Sequence, residues 1–149
     1  MTAPRDQPLL VDTNLLVYAF RPERPEHAAT RAWLAEALRG PRPTALTSSA
    51  LAAFVRIVTH RRIFGDPAGI DEALGFIAVL RGAPAVRAIE PGDGYPSLFD
   101  RICSSLHLRG DEIPDAHLAA LAIEHDADLA THDRGFERFP GLRVVDPLA

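Results

Sequence analysis

Six consecutive residues, Leu9-Leu10-Val11-Asp12-Thr13-Asn14, limit what this chain can fold into more than any others. Three apolar side chains in a row suit a short strand covered on both faces, as in the middle of a parallel sheet. Asp12 follows directly. A carboxylate beside a buried run is costly unless something compensates its charge. Two arrangements would do so. Asp12 can cap a helix that starts at Thr13, or it can face a cleft at the strand's end and ligate a cation such as Mg²⁺. The stretch alone leaves both open.

The remaining chain alternates helix and strand signals. Helices are expected over 13–20, 26–38, 48–59, 70–80, 95–108 and 114–125. In the third, Leu51, Phe54, Val55 and Val58 recur at the spacing of one buried face, and Ser48 or Ser49 is placed to cap it. Pro96 and Pro114 fall in first turns, where proline is tolerated, while Gly40 and Gly110 mark helix ends. Strands are expected over 9–12, 45–47, 85–89, 128–131 and 142–145. This alternation predicts an α/β fold: a three-layer sandwich with a mostly parallel central sheet flanked by helices, in one domain spanning 1–149.

The composition excludes several classes. No apolar run is long enough to span a membrane. Residues 1–8 are short and polar and hold Asp6, so they read as a frayed lead-in rather than a secretory signal. Cys103 is the only cysteine, which rules out an internal disulfide. A cytoplasmic location is expected. The net charge of −4 makes no bulk-charge case for nucleic-acid binding. A local rim of Arg21, Arg24, Arg56, His60, Arg61 and Arg62 nonetheless offers candidate phosphate contacts.

Ligand sites in open α/β sheets lie at the carboxyl ends of the strands. Asp12 ends the first strand, and Asp133 follows Leu129-Ala130-Thr131 by two residues. Asp115 lies in the first turn of the sixth helix, where the helix dipole favours a carboxylate. Three acids from three separated segments supply the oxygen ligands that Mg²⁺ requires. Taken singly, Asp115 could be an ordinary first-turn acid and Asp133 could simply open a turn. Phosphate-binding glycine loops and a Gly-x-Ser-x-Gly nucleophile motif are absent. His117 and His125 lie on the sixth helix without an evident third ligand, and are read as surface or satisfied core histidines.

A family resemblance follows from the ordered set. Leu9-Leu10-Val11-Asp12-Thr13-Asn14-Leu15-Leu16-Val17-Tyr18-Ala19, Phe54-Val55-Arg56-Ile57-Val58-Thr59, the run from Pro114-Asp115 to His125, and Thr131-His132-Asp133-Arg134-Gly135-Phe136 together resemble a PIN-domain ribonuclease. They are most similar to VapC toxins of bacterial VapBC toxin–antitoxin pairs. The resemblance implies an endoribonuclease that uses Mg²⁺ or Mn²⁺, forms a homodimer and is held inactive by a VapB-type antitoxin. It assigns the catalytic and metal-binding roles to Asp12, Asp115 and Asp133. Asn14 and Thr131 become candidates to orient carboxylates or waters. The family usually places a Glu on the third helix, where this chain has Ala53. Either three acids suffice, or Asp111 or Glu112 replaces the missing carboxylate, or the domain binds RNA or antitoxin without efficient cleavage. A further acid that some members carry is Gly135 here. The aromatics Tyr18, Phe20, Trp33 and Phe54 either belong to the core or form a groove for an antitoxin helix.

Overall fold

The computed structural model describes residues 7–149, so the lead-in expected over 1–8 falls almost wholly outside the described residues. Five strands, β1 (Leu9–Val11), β2 (Thr44–Leu46), β3 (Val86–Ala88), β4 (Asp128–Ala130) and β5 (Val144–Val145), form one parallel sheet in the order β3-β2-β1-β4-β5. The helices are α1 (Thr13–Phe20), α2 (His27–Ala37), α3 (Ser48–Val58), α4 (Ile70–Gly82), α5 (Tyr95–Ser105) and α6 (Ile113–Glu124). This is the expected α/β sandwich.

β1 is the central strand, which explains its unbroken apolar run. Its side chains alternate between two cores, as the two-residue period of a strand dictates. Leu9 and Val11 pack with Leu46, Ala130 and residues of α1 to α4 on one face. Leu10 packs with Ala45, Leu129 and residues of α5 and α6 on the other. Ala116, Ala119, Ala120 and Ala122 of α6 are fully buried, so their small side chains let that helix lie close to its neighbours. From β1 the chain first adds β2 and β3 on one side, then crosses to add β4 and β5 on the other. The order therefore reverses between β1 and β4. That switch point leaves a crevice at the carboxyl ends of the strands.

Several local expectations change. Neither Ser48 nor Ser49 caps α3. Thr47 occupies the capping position, and the helix's first amide, Ser48 N–H, donates to Glu90 Oε2 at 3.0 Å. α5 ends at Ser105 rather than near 108, because His107 turns into the left-handed region at φ 52° and Leu108 N–H bonds back to Cys103 O. Phe54 is fully buried and packs with Phe20 and Phe76 at centroid distances of 5.2–5.3 Å, so it is core and no part of an exposed groove. Tyr18, Phe20 and Trp33 are partly buried against the same core. Among the described residues, no helix is long and apolar enough to cross a membrane.

Candidate active site

The crevice at the β1/β4 switch point gathers the acids. Asp12 stands at the first capping position of α1, yet its carboxylate makes no capping hydrogen bond. Asp12 Oδ2 instead accepts the Thr131 hydroxyl at 2.7 Å, in a buried contact between the ends of adjacent strands. Thr131 Oγ1 in turn accepts the Asp133 backbone N–H at 3.0 Å. One hydroxyl thus holds Asp12 in orientation and places Asp133 beside it. Asp12 is 7% exposed and, among the described residues, has no cationic side chain bonded to it. Its pKa is pushed up to about 6, chiefly by burial, with Asp115 and Asp133 repelling its charge and the Thr131 hydroxyl opposing the rise.

Asp115 enters from the first turn of α6. Burial raises its pKa, and the ion pair with Arg138 offsets part of that rise. Arg138 Nη2 lies 3.3 Å from Asp115 Oδ2, Nη1 donates to Gly135 O at 2.6 Å, and the guanidinium sits 4.6 Å from the Phe139 ring centroid. Gly135 makes room for this arrangement: a Cβ at that position would come within 2.8 Å of Arg138 Nη1. Asp133 is exposed, and its Oδ1 accepts the Gly135 N–H at 2.8 Å, so it does open a turn as well as facing the other acids.

A cleft of about 460 Å³ lies against these groups. Asp12, Asp115 and Asn14 line it, while Asp133 and Thr131 do not. Ala53 also lines it, so α3 presents a methyl group where an acid would project. Neither proposed substitute lines the cleft: Asp111 is exposed, and Glu112 Oε1 accepts the Arg109 N–H at 3.2 Å. Among the described residues, no three or more acidic, His or Cys side chains converge closely enough to hold a metal ion together.

Three groups escaped the sequence reading. Thr131 was expected to orient carboxylates, but His117 and Tyr95 were not expected at the site. Both line the cleft, with Tyr95 Oη 2.5 Å from His117 Nδ1. Glu90 is the third. It follows β3 by two residues and accepts from Thr47 Oγ1, Ser48 Oγ and Ser48 N–H at 2.9–3.0 Å. An acid just past a strand is the same signal that singled out Asp12 and could have found it. Of the basic rim, Arg21 is buried and tied to Glu23 and Asp66 O, and Arg24 pairs with Glu26. Arg56, Arg61 and Arg62 are exposed.

The family profile of the PIN domain matches residues 9–142, a span that holds all three acids. The chain belongs to the PIN-domain family. Within that family its relatives are VapC proteins. Ribonuclease VapC43 of Mycobacterium tuberculosis is 41% identical over 140 residues, covering 94% of this chain and 95% of the relative. Ribonuclease VapC25 of the same species is 33% identical, covering 93% and 97%. The PIN fold is also that of VapBC2 from Rickettsia felis bound to a promoter DNA fragment (TM-score 0.68, 18% identity, covering 93% and 98%). It is shared with VapC20 of M. tuberculosis, a sarcin-ricin loop cleaving toxin (TM-score 0.62, 17% identity, covering 91% and 98%).

Proposed function

We propose that this PIN domain is a metal-dependent endoribonuclease, the toxin of a toxin–antitoxin pair. The observation that carries this reading is Asp12. It is a buried carboxylate at the sheet's switch point, bonded to no cationic side chain among the described residues, sharing a cleft with Asp115 and repelled by both Asp115 and Asp133. Such a charge is costly to keep in place for structural reasons alone. The 41% identity to a protein named as a ribonuclease points the same way.

The donor set fits a hard divalent cation, Mg²⁺ or Mn²⁺. All three side chains are carboxylates, the oxygen donors that Mg²⁺ takes alongside several of its own waters. Asp12, Asp115 and Asp133 would hold the ion. When bound, it supplies positive charge at the phosphate and makes water more acidic. The reaction is attack by water on phosphorus, forming one P–O bond and breaking the one to the leaving oxygen. Thr131 keeps the Asp12 carboxylate aimed at the cleft, and Arg138 favours the ionised form of Asp115 against the effect of burial. Arg56, one turn beyond Ala53 on α3, is a candidate contact for the substrate backbone. We also place a VapB-type antitoxin on this chain and expect a homodimer.

RNA cleavage measured with Mg²⁺ and with EDTA tests the reading. Cleavage should require the metal and fall at least 100-fold in Asp12→Asn, by analogy with loss of a central electrostatic group. Full activity in that variant would sink the assignment. One observation favours a second reading. Ala53 leaves α3 without an acid at the cleft, as in a domain that binds RNA or antitoxin with little cleavage. Ala53→Glu separates the two: a large gain in cleavage marks the native site as incomplete, and an unchanged rate marks three acids as sufficient.

A further inference from the structure

The cleft is larger than the acids require. Its volume of about 460 Å³ falls in the ~300–1,000 Å³ range of small-molecule sites. A cation and a phosphate need oxygens and water, yet the wall facing the acids is aromatic. Tyr95 and Phe99, four residues apart on α5, stack at a centroid distance of 5.6 Å and an angle of 19°. His117 from α6 stands edge-on to Tyr95 at 5.3 Å.

Along this wall runs a polar string. Tyr95 Oη lies 2.5 Å from His117 Nδ1, and His117 Nε2 lies 3.0 Å from Ser49 Oγ. Burial lowers the His117 pKa, with Glu90 opposing the fall, which favours a neutral ring. A neutral ring satisfies both bonds in either tautomer. With the proton on Nε2, Tyr95 donates to Nδ1 and His117 donates to Ser49, which frees the Ser49 hydroxyl proton. With the proton on Nδ1, both bonds reverse, and Ser49 offers a lone pair instead. The string can therefore present either a donor or an acceptor to a neighbour in the cleft.

We propose that this compartment is a nucleobase subsite. It seats the base of a nucleotide next to the scissile phosphate, with the base against the Tyr95–Phe99 wall and its edge at the Tyr95–His117–Ser49 string. The proposal rests on the ribonuclease reading of the acids. The chemistry matches a base: an uncharged ring with an apolar face and a donor–acceptor edge. Among the described residues no Arg lines the cleft, which argues against a second phosphate there. An apolar side chain from an antitoxin would use the wall and leave the string idle, so the base is the better occupant.

NMR titration of the metal-free protein with adenosine, guanosine, cytidine and uridine tests the subsite without cleavage. At least one nucleoside should shift the Tyr95, His117 and Ser49 resonances saturably. Tyr95→Ala should weaken that binding about tenfold, as expected for losing one stacking platform. Tyr95→Phe and Ser49→Ala, which keep the wall, should change the order of preference among the four bases. Asp12→Asn should bind nucleosides like the wild type. Absence of nucleoside binding, or equal binding by Tyr95→Ala, overturns the subsite even if RNA is cleaved. Weakened antitoxin binding in Tyr95→Ala without nucleoside binding also overturns it. Nucleoside binding at Tyr95 in a protein whose Asp12→Asn variant still cleaves RNA upholds the subsite and removes the catalytic reading of Asp12.

Discussion

Asp12 is destabilising by itself. Burial pushes its carboxyl pKa up to about 6 in the folded chain, well above the 3.8 of an exposed aspartate. Above pH 6 the folded state must hold a buried negative charge that the unfolded chain exposes to water. Asp12→Asn should therefore raise the stability of the metal-free protein at pH 7.5 by about 1–3 kcal/mol, seen as a higher urea midpoint, while removing Mg²⁺-dependent cleavage. A loss of stability would mean that Asp12 is structural. Arg138 sits on the other side of the same balance. Its ion pair with Asp115 is partly exposed and worth little to stability, but a cation held by the acids, as proposed, would have to compete with it. Arg138→Gln should tighten Mn²⁺ binding by roughly three- to tenfold, a change of about 1 kcal/mol, measured by isothermal titration. Gly135→Ala, whose Cβ would collide with the guanidinium, should act in the same direction. Unchanged or weaker binding in both variants would show that Arg138 does not guard the site.

At the scale of elements, the site is carried by ends rather than middles. The carboxyl ends of β1 and β4 supply Asp12, Thr131 and Asp133, and the first turn of α6 supplies Asp115. α3 contributes Ser49 and Ala53 to the cleft, so its placement matters. Its amino end is held by Glu90, which bonds one backbone amide and two hydroxyls and complements the helix dipole. Glu90→Ala should cost about 1–2 kcal/mol, as for loss of a helix cap, and lower the melting temperature by roughly 3–6 °C. A thermal scan checks it, and no change would mean that Thr47 suffices as the cap. The helix pattern of α3 was legible in its apolar spacing. The residue that caps it was not, because the cap arrives from a segment 42 positions away.

Across the whole molecule, two buried acids set opposite limits on stability. At the amino ends of the strands, Asp128 is buried, yet Arg42 and Arg143 hold its carboxyl below the usual range by hydrogen bonds at 2.7 and 2.5 Å. A depressed pKa contributes stability that is present at higher pH and is lost as pH falls through the folded pKa. At the carboxyl ends, the raised pKa of Asp12 works the other way. The folded state binds its proton more tightly than the unfolded chain, so stability falls as pH rises from about 4 to 6, by about 3 kcal/mol in total. The metal-free protein should thus be most stable near pH 4, as far as these two acids decide it. If the folded acids bind Mg²⁺ as proposed, a saturating concentration should flatten the upper limb. Denaturant melts from pH 3 to 8, with and without Mg²⁺, measure this directly. A curve that rises between pH 4 and 6 would contradict the burial of an ionised Asp12.

The amino-acid sequence determined the layered α/β fold and singled out the three acids as candidates. Both are written in local patterns: unbroken apolar runs for strands covered on two faces, and acids at strand and helix ends. Choosing between cap and cleft for Asp12 needed the sheet order, because its partner Thr131 is 119 residues away and becomes a neighbour only when β4 lies beside β1. The Arg138–Asp115 pair and the Tyr95–His117–Ser49 string were equally hidden. Each joins side chains from different segments, and the phase of each helix about its axis decides which of them face one cleft.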